Sequence, residues 1–135
     1  MGLSAIRDGI KTQLDTIAGL QVHDVIPDSV NAFPAAVVRP FSGEYDPEFG
    51  SPGPIYSFII TILVTRQDAP SAQDKLDPYL DAAGASSVRA AIEADTTLSA
   101  SCDTCRVTRF GEYGAHRYDD GPPLFGVNIY LEVVP

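Results

Sequence analysis

The chain has no long apolar run. No stretch approaches the roughly 18–20 consecutive apolar residues that a membrane-spanning helix needs, so no membrane association is expected. The opening residues, Met1-Gly2-Leu3-Ser4-Ala5-Ile6-Arg7-Asp8, put polar and charged groups where a secretory signal needs apolar ones, and the expectation is a chain kept in the cytoplasm. Positive charge is also scarce. Against 18 Asp and Glu stand 9 Lys and Arg, giving a net charge of −9. Nucleic-acid affinity rests mainly on cations neutralising phosphate, so a surface that grips DNA or RNA is not expected. The acidic balance serves solubility; it also suits the wall of a passage through which nucleic acid slides without sticking.

Residues with reactive side chains are few: 2 cysteines and 2 histidines. Cys102 and Cys105 form a single Cys-x-x-Cys. A zinc site needs about four ligands, and His23 and His116 are the available partners. Redox pairs of this spacing normally open a helix, whereas this one starts a strand-like run, so both are read as structural thiols. Gly-x-Ser-x-Gly, the phosphate loop, Gly-x-Gly-x-x-Gly and His-Glu-x-x-His are all missing. Neither an enzyme, nor a cofactor, nor a metal site is expected. The most reactive-looking cluster is Gly114-Ala115-His116-Arg117-Tyr118-Asp119-Asp120. A His beside two carboxylates has the groups of a general base or a metal site, but neighbours in a loop lack the fixed geometry of catalysis. A solvated loop is preferred, with a small-molecule-binding or hydrolytic domain using His116 and Asp119 or Asp120 as the alternative. Arg106 and Arg109, three apart on a strand, are expected on opposite faces. Asp24 and Asp28 flank Pro27 as turn residues.

What is present suits one domain of 135 residues, 44% hydrophobic and 20% charged. Leu3, Ile6, Ile10, Leu14 and Ile17 recur at helical spacing and predict an amphipathic helix over 3–18, capped by Ser4 and ended by Gly19. Short strands are expected over Leu20–Ile26 and Ala35–Arg39. From Pro40 to Ile55 the composition changes: Pro40, Pro47, Pro52, Pro54, Gly43, Gly50 and Gly53 share the span with Glu44, Asp46 and Glu48, without Lys or Arg. Such a segment is not expected to hold a helix or a central strand. It is read as a long acidic arm, or else a disordered loop. Its aromatics, Phe41, Tyr45 and Phe49, favour contact with a partner.

Tyr56–Thr65 predicts the strongest strand. Phe58, Ile60, Ile62 and Val64 point one way, and Ser57, Ile59, Thr61, Leu63 and Thr65 the other. A helix carrying Leu76, Tyr79, Leu80 and Ala83 follows, capped by Asp68 or Ser71, broken or kinked by Pro78 near Asp77, and ended by Gly84. Ser86 or Ser87 caps a second helix with Val88, Ala91 and Ile92. Strands over Thr104–Tyr113 and Leu124–Val134 close the chain, joined by a hairpin loop over 114–123. The order α-β-β-β-α-α-β-β indicates a single α+β domain with a mainly antiparallel sheet of about four strands and helices on one face.

The block Leu76-Asp77-Pro78-Tyr79-Leu80, followed by Ser87-Val88-Arg89-Ala90-Ala91-Ile92-Glu93 and Thr97-Leu98, resembles the tail terminator (tail-completion) proteins of long-tailed bacteriophages. The helix at 3–18, the strand at 57–65 and the final strand pair also follow that family's order. The resemblance implies a structural subunit of a homo-oligomeric ring, commonly hexameric, that caps the tail tube, ends its polymerisation and provides the joint to the head. A head–tail connector or neck subunit of another tier is the neighbouring possibility. Implied partners are further copies of the chain, the tail-tube protein, connector or neck proteins, and genomic DNA passing through without specific binding. The implied location is the virion, with assembly in the host cytoplasm. In that setting Phe41, Tyr45, Phe49, Arg117 and Tyr118 are the expected contacts. Glu44, Asp46, Glu48, Asp119 and Asp120 are the expected acidic channel lining.

Overall fold

The computed structural model describes residues 3–23, 33–45, 54–66, 71–98, 100–116 and 123–134. In chain order they form α1 (Leu3–Leu14), β1 (Gln21–His23), β2 (Ala35–Glu44), β3 (Ile55–Arg66), α2 (Ala72–Leu80), α3 (Val88–Glu93), β4 (Thr104–His116) and β5 (Leu124–Val134). The strands make one 5-stranded sheet in the order β1-β2-β3-β5-β4. Every pairing is antiparallel except β1 with β2, which is parallel. The α+β class, single domain and element order stand as expected, with a fifth strand making the sheet slightly larger and mixed.

Period-two alternation on β3 sorts the core. Phe58, Ile60, Ile62 and Val64 face the helices, together with Ala36 and Val38 of β2 and Val127, Ile129, Leu131 and Val133 of β5. The helices bring Ile6, Ile10 and Leu14 from α1, Leu76 and Tyr79 from α2, and Val88 and Ile92 from α3 to the same cluster. On the other face a small second cluster gathers Ala35, Val37, Leu63 and Leu124, with Phe33 packed against it.

Several boundaries differ from expectation, each for a local reason. α1 ends at Leu14 rather than residue 18, because Thr16 and Ile17 donate three residues back, to Gln13 and Leu14, which tightens the last turn. At the other end the helix already includes Leu3, so Ser4 lies inside it. Ile17 is still buried, and Gly19 turns the chain with φ +80°.

Pro78 neither breaks nor stops α2, which runs on to Leu80. Pro78 lacks the N–H that would bond the Asp74 carbonyl, and the helix ends two residues later. Gly84, at φ +121°, lies in the bend beyond the helix. Ser71 occupies the N-cap position without a side-chain cap bond, whereas the Ser87 hydroxyl accepts from the Ala90 amide at 3.1 Å and caps α3.

Residues 40–44, expected in the arm, are strand: Pro40 pairs with Phe58 and Glu44 with Ile55. β1 pairs with Ala35 to Val37, so Pro40 lies beyond that pairing and can be held without an N–H. Likewise residues 114–116, expected in the hairpin loop, belong to β4. Asp24 and Asp28, with the rest of 24–32, lie outside the described residues.

Candidate assembly surfaces

β4 departs twice from regular pairing, and these departures build the face without helices. Val107 opposes Leu131 and Arg109 opposes Tyr130, so Thr108 is an extra residue. The inserted residue puts Arg106 and Arg109 on the same face, opposite Glu132 and Tyr130, correcting the expectation from simple alternation. The Arg106 guanidinium lies 3.8 Å from Glu132, and that of Arg109 lies 3.7 Å over the Tyr130 ring.

The second irregularity falls between Gly111 and Gly114, where Glu112 sits at φ +53° and Gly114 at φ +142°. It turns Glu112 and Tyr113 to opposite sides. Glu112 reaches the helix-free face, where Tyr130 donates to it at 2.5 Å and the Asn128 amide at 3.4 Å. Thr61 extends the chain by donating to Asn128 Oδ1 at 2.7 Å. The Tyr130 hydroxyl, with smaller help from Asn128, Arg109 and His116, holds Glu112 below the usual carboxylate range. In return Glu112 keeps the Tyr130 phenol above its ordinary value. Tyr113, on the helix side, donates to Asp77 at 2.6 Å and meets Phe125 edge-on at 5.2 Å. Desolvation and Asp77 push its phenol up to about 12.

Phe41 is a further inserted residue, between Pro40 opposite Phe58 and Ser42 opposite Ser57. Its ring stands edge-on to Tyr130, 6.0 Å away, while remaining 58% exposed. Tyr45, at the end of β2, is 78% exposed. On β4, Phe110 is 53% exposed and Tyr113 37%. The exposed aromatics thus fall in two places, β2 and β4, which β3 and β5 separate.

Beside β4, between the end of α2 and α3, lies a cleft of about 370 Å³. Tyr79, Leu80, Val107 and Phe110 line it together with Arg89 and Arg109. Glu93, bonded to Arg89 Nε at 3.4 Å, accepts the Val107 amide at 3.2 Å, so a side chain of α3 occupies a backbone donor of β4.

Cys105 stands in β4 and Cys102 just before it; both are free thiols and buried. Burial, reinforced by Cys102, Glu93 and Asp95, pushes the Cys105 thiol up to about 12. Burial first, then Asp103 and Asp95, raises Cys102.

Of the residues expected to make contacts, Phe41 and Tyr45 are placed and exposed, as is Glu44 of the expected channel lining. Phe49, Arg117, Tyr118, Asp46, Glu48, Asp119 and Asp120 lie outside the described residues. His116 ends β4 with Nε2 2.6 Å from the Glu112 carbonyl oxygen. Among the described residues, no group of three or more His, Cys, Asp or Glu could hold a metal, and no helix is long and apolar enough to cross a membrane. The Tyr130 network and the cleft were missed by sequence reasoning. The clue to the network was Gly111 and Gly114 inside a strand-like run, since interior glycines mark bulges. No family model matches the chain, and no curated protein matches it.

Proposed function

We propose that this chain is a structural virion protein that forms a homo-oligomeric ring on the tail tube of a long-tailed bacteriophage. The ring ends tube polymerisation and provides the joint to the head. One observation carries the reading: exposed aromatic side chains occupy two separate places, Phe41 on β2 with Tyr45 just beyond its end, and Phe110 and Tyr113 on β4. A closed ring needs two different, complementary surfaces on one subunit, and exposed aromatics beside arginine are what binding energy concentrates on. The sequence resemblance supplies the identity of the assembly, and the net charge of −9 suits a passage for DNA. Glu44 is the described member of the acidic set proposed for that passage.

The test is the mass and shape of the purified protein, alone and with tail-tube protein, by light scattering and negative-stain electron microscopy. Closed rings of uniform size, alone or on tube ends, are the expected result. A strict monomer under both conditions, with tube length unchanged, sinks the proposal.

A further inference from the structure

Cys102 and Cys105 lie on either side of a structural boundary. Cys105 belongs to β4, the edge strand of the sheet, and is held opposite Val133 of β5. Cys102 precedes the strand, in the turn that follows α3. There its amide donates to the Thr97 carbonyl at 3.1 Å and its thiol to the Thr96 carbonyl at 3.5 Å. The two side chains nonetheless share one core cluster, and their thiols lie within hydrogen-bond reach of each other. Among the described residues no third His, Cys, Asp or Glu joins them as a metal ligand. The chemistry open to the pair is that of a dithiol.

A bond between the sulfurs needs them to close to about 2.05 Å. Cys105 is fixed by its pairing with β5, whereas Cys102 stands outside that ladder. Rotation of the Cys102 side chain away from the Thr96 carbonyl brings its sulfur onto Cys105. In the closed turn both thiols are guarded: Cys102 is 9% exposed and Cys105 4%. Burial also pushes the Cys105 thiol up to about 12, so the reactive thiolate is scarce there. Reaction therefore waits on local opening at the start of β4. The segment is built for that, since Asp103 and Thr104, between the cysteines, are exposed and pair with Val134 at the last turn of the β5 ladder.

We infer that Cys102 and Cys105 are a redox latch: in oxidising surroundings a low-molecular-weight disulfide converts them to an intramolecular bond that pins the turn after α3 to the start of β4. The Cys102 thiolate attacks the small disulfide and expels one small thiol. The Cys105 thiolate then attacks the Cys102 sulfur of the mixed disulfide and expels the second. The protein gives up two protons and two electrons, and the small disulfide leaves as two thiols. A reducing cytoplasm keeps the pair as thiols, so the latch closes when the surroundings change. This property belongs to the folded subunit and holds whether or not the chain forms a ring.

The unmodified protein tests this. It is incubated in its folded state with oxidised glutathione, then denatured, treated with N-ethylmaleimide and weighed by mass spectrometry. The reduced chain, with both thiols free, takes two maleimides. The latched chain should take none, weigh two hydrogens less than the dithiol, and recover both maleimide sites after dithiothreitol. Amide hydrogen exchange at Ser101, Cys102 and Asp103 should slow on oxidation, with exchange in β3 unchanged. Protein that still takes two maleimides overturns the inference. So does a glutathione adduct that persists, a disulfide between copies, or a bond that forms only in urea. An intramolecular bond that leaves the three exchange rates unchanged overturns it too, because such a bond latches nothing.

Discussion

The Tyr130 hydroxyl donates to Glu112 at 2.5 Å, joining β5 to the bulged segment of β4 across the helix-free face. Glu112 carries a left-handed backbone at φ +53°, a conformation that costs on the order of 1–3 kcal/mol and persists where surrounding contacts fix it. The Tyr130 and Asn128 bonds are such contacts, and they need the carboxylate rather than the acid to act at full strength.

A pH dependence follows. The folded state holds Glu112 below its ordinary value of 4.5, chiefly through Tyr130. The stability it contributes is therefore complete above the ordinary value and is lost as pH falls through the lower folded one. In Glu112→Gln that dependence disappears. Urea midpoints measured from about pH 6 to about pH 3 should show wild type ahead at the upper end and the difference narrowing towards the lower end. Parallel curves for the two proteins would refute the coupling.

Gly9 fixes a second relationship, between α1 and the turn after α3. An added Cβ would lie 2.7 Å from Ser101 Oγ, 2.9 Å from Leu98 Cβ and against the Leu98 carbonyl oxygen. Leu98 is itself fully buried with φ +50°, so it has little freedom to withdraw. Replacing glycine by alanine inside a helix ordinarily gains about 1 kcal/mol; overpacking costs about 1–3 kcal/mol. Because one of the close neighbours is a backbone carbonyl, the cost lies at the upper end of that range, and Gly9→Ala should be destabilising by about 2 kcal/mol net, lowering the thermal midpoint by a few degrees. An unchanged or raised midpoint would show that the turn gives way.

Sequence legibility divided along a physical line. Alternation along Tyr56–Thr65 foretold which side of β3 meets the helices, because burial on one face enforces period two. The apolar stripe of α1 and a serine cap at 86 or 87, which falls on Ser87, were legible for the same kind of reason: each depends on residues close in sequence. The positions of Arg106 and Arg109 were not. One extra residue, Thr108, reverses the facing of everything beyond it, and the choice of which residue to extrude is made by pairing with Leu131 and Tyr130 far along the chain. Pro40 misled for a related reason, since its tolerance depends on where β1 stops pairing. Phe41 and Tyr45 were singled out as partner contacts, and both lie exposed, while the cleft beside β4 needs three elements brought together and leaves no local signature.

The two functional classes separate at opposite ends of the sheet. Glu44 and Ile55 are register partners in an antiparallel pair, so replacing residues 45–54 with Asn-Gly closes β2 and β3 with a two-residue turn suited to their twist. That variant removes Tyr45 while leaving every described β2–β3 pairing in place. It should keep the circular dichroism and cooperative unfolding of the wild type and lose assembly. His116→Ala, at the other end of β4, removes a side chain whose described polar contact is the Glu112 carbonyl, and assembly should persist. A folded hairpin variant that still assembles would remove the β2 tip from the interface. Loss of a ligand-binding or hydrolytic activity in His116→Ala, with assembly intact, would instead place the chemistry at the end of β4.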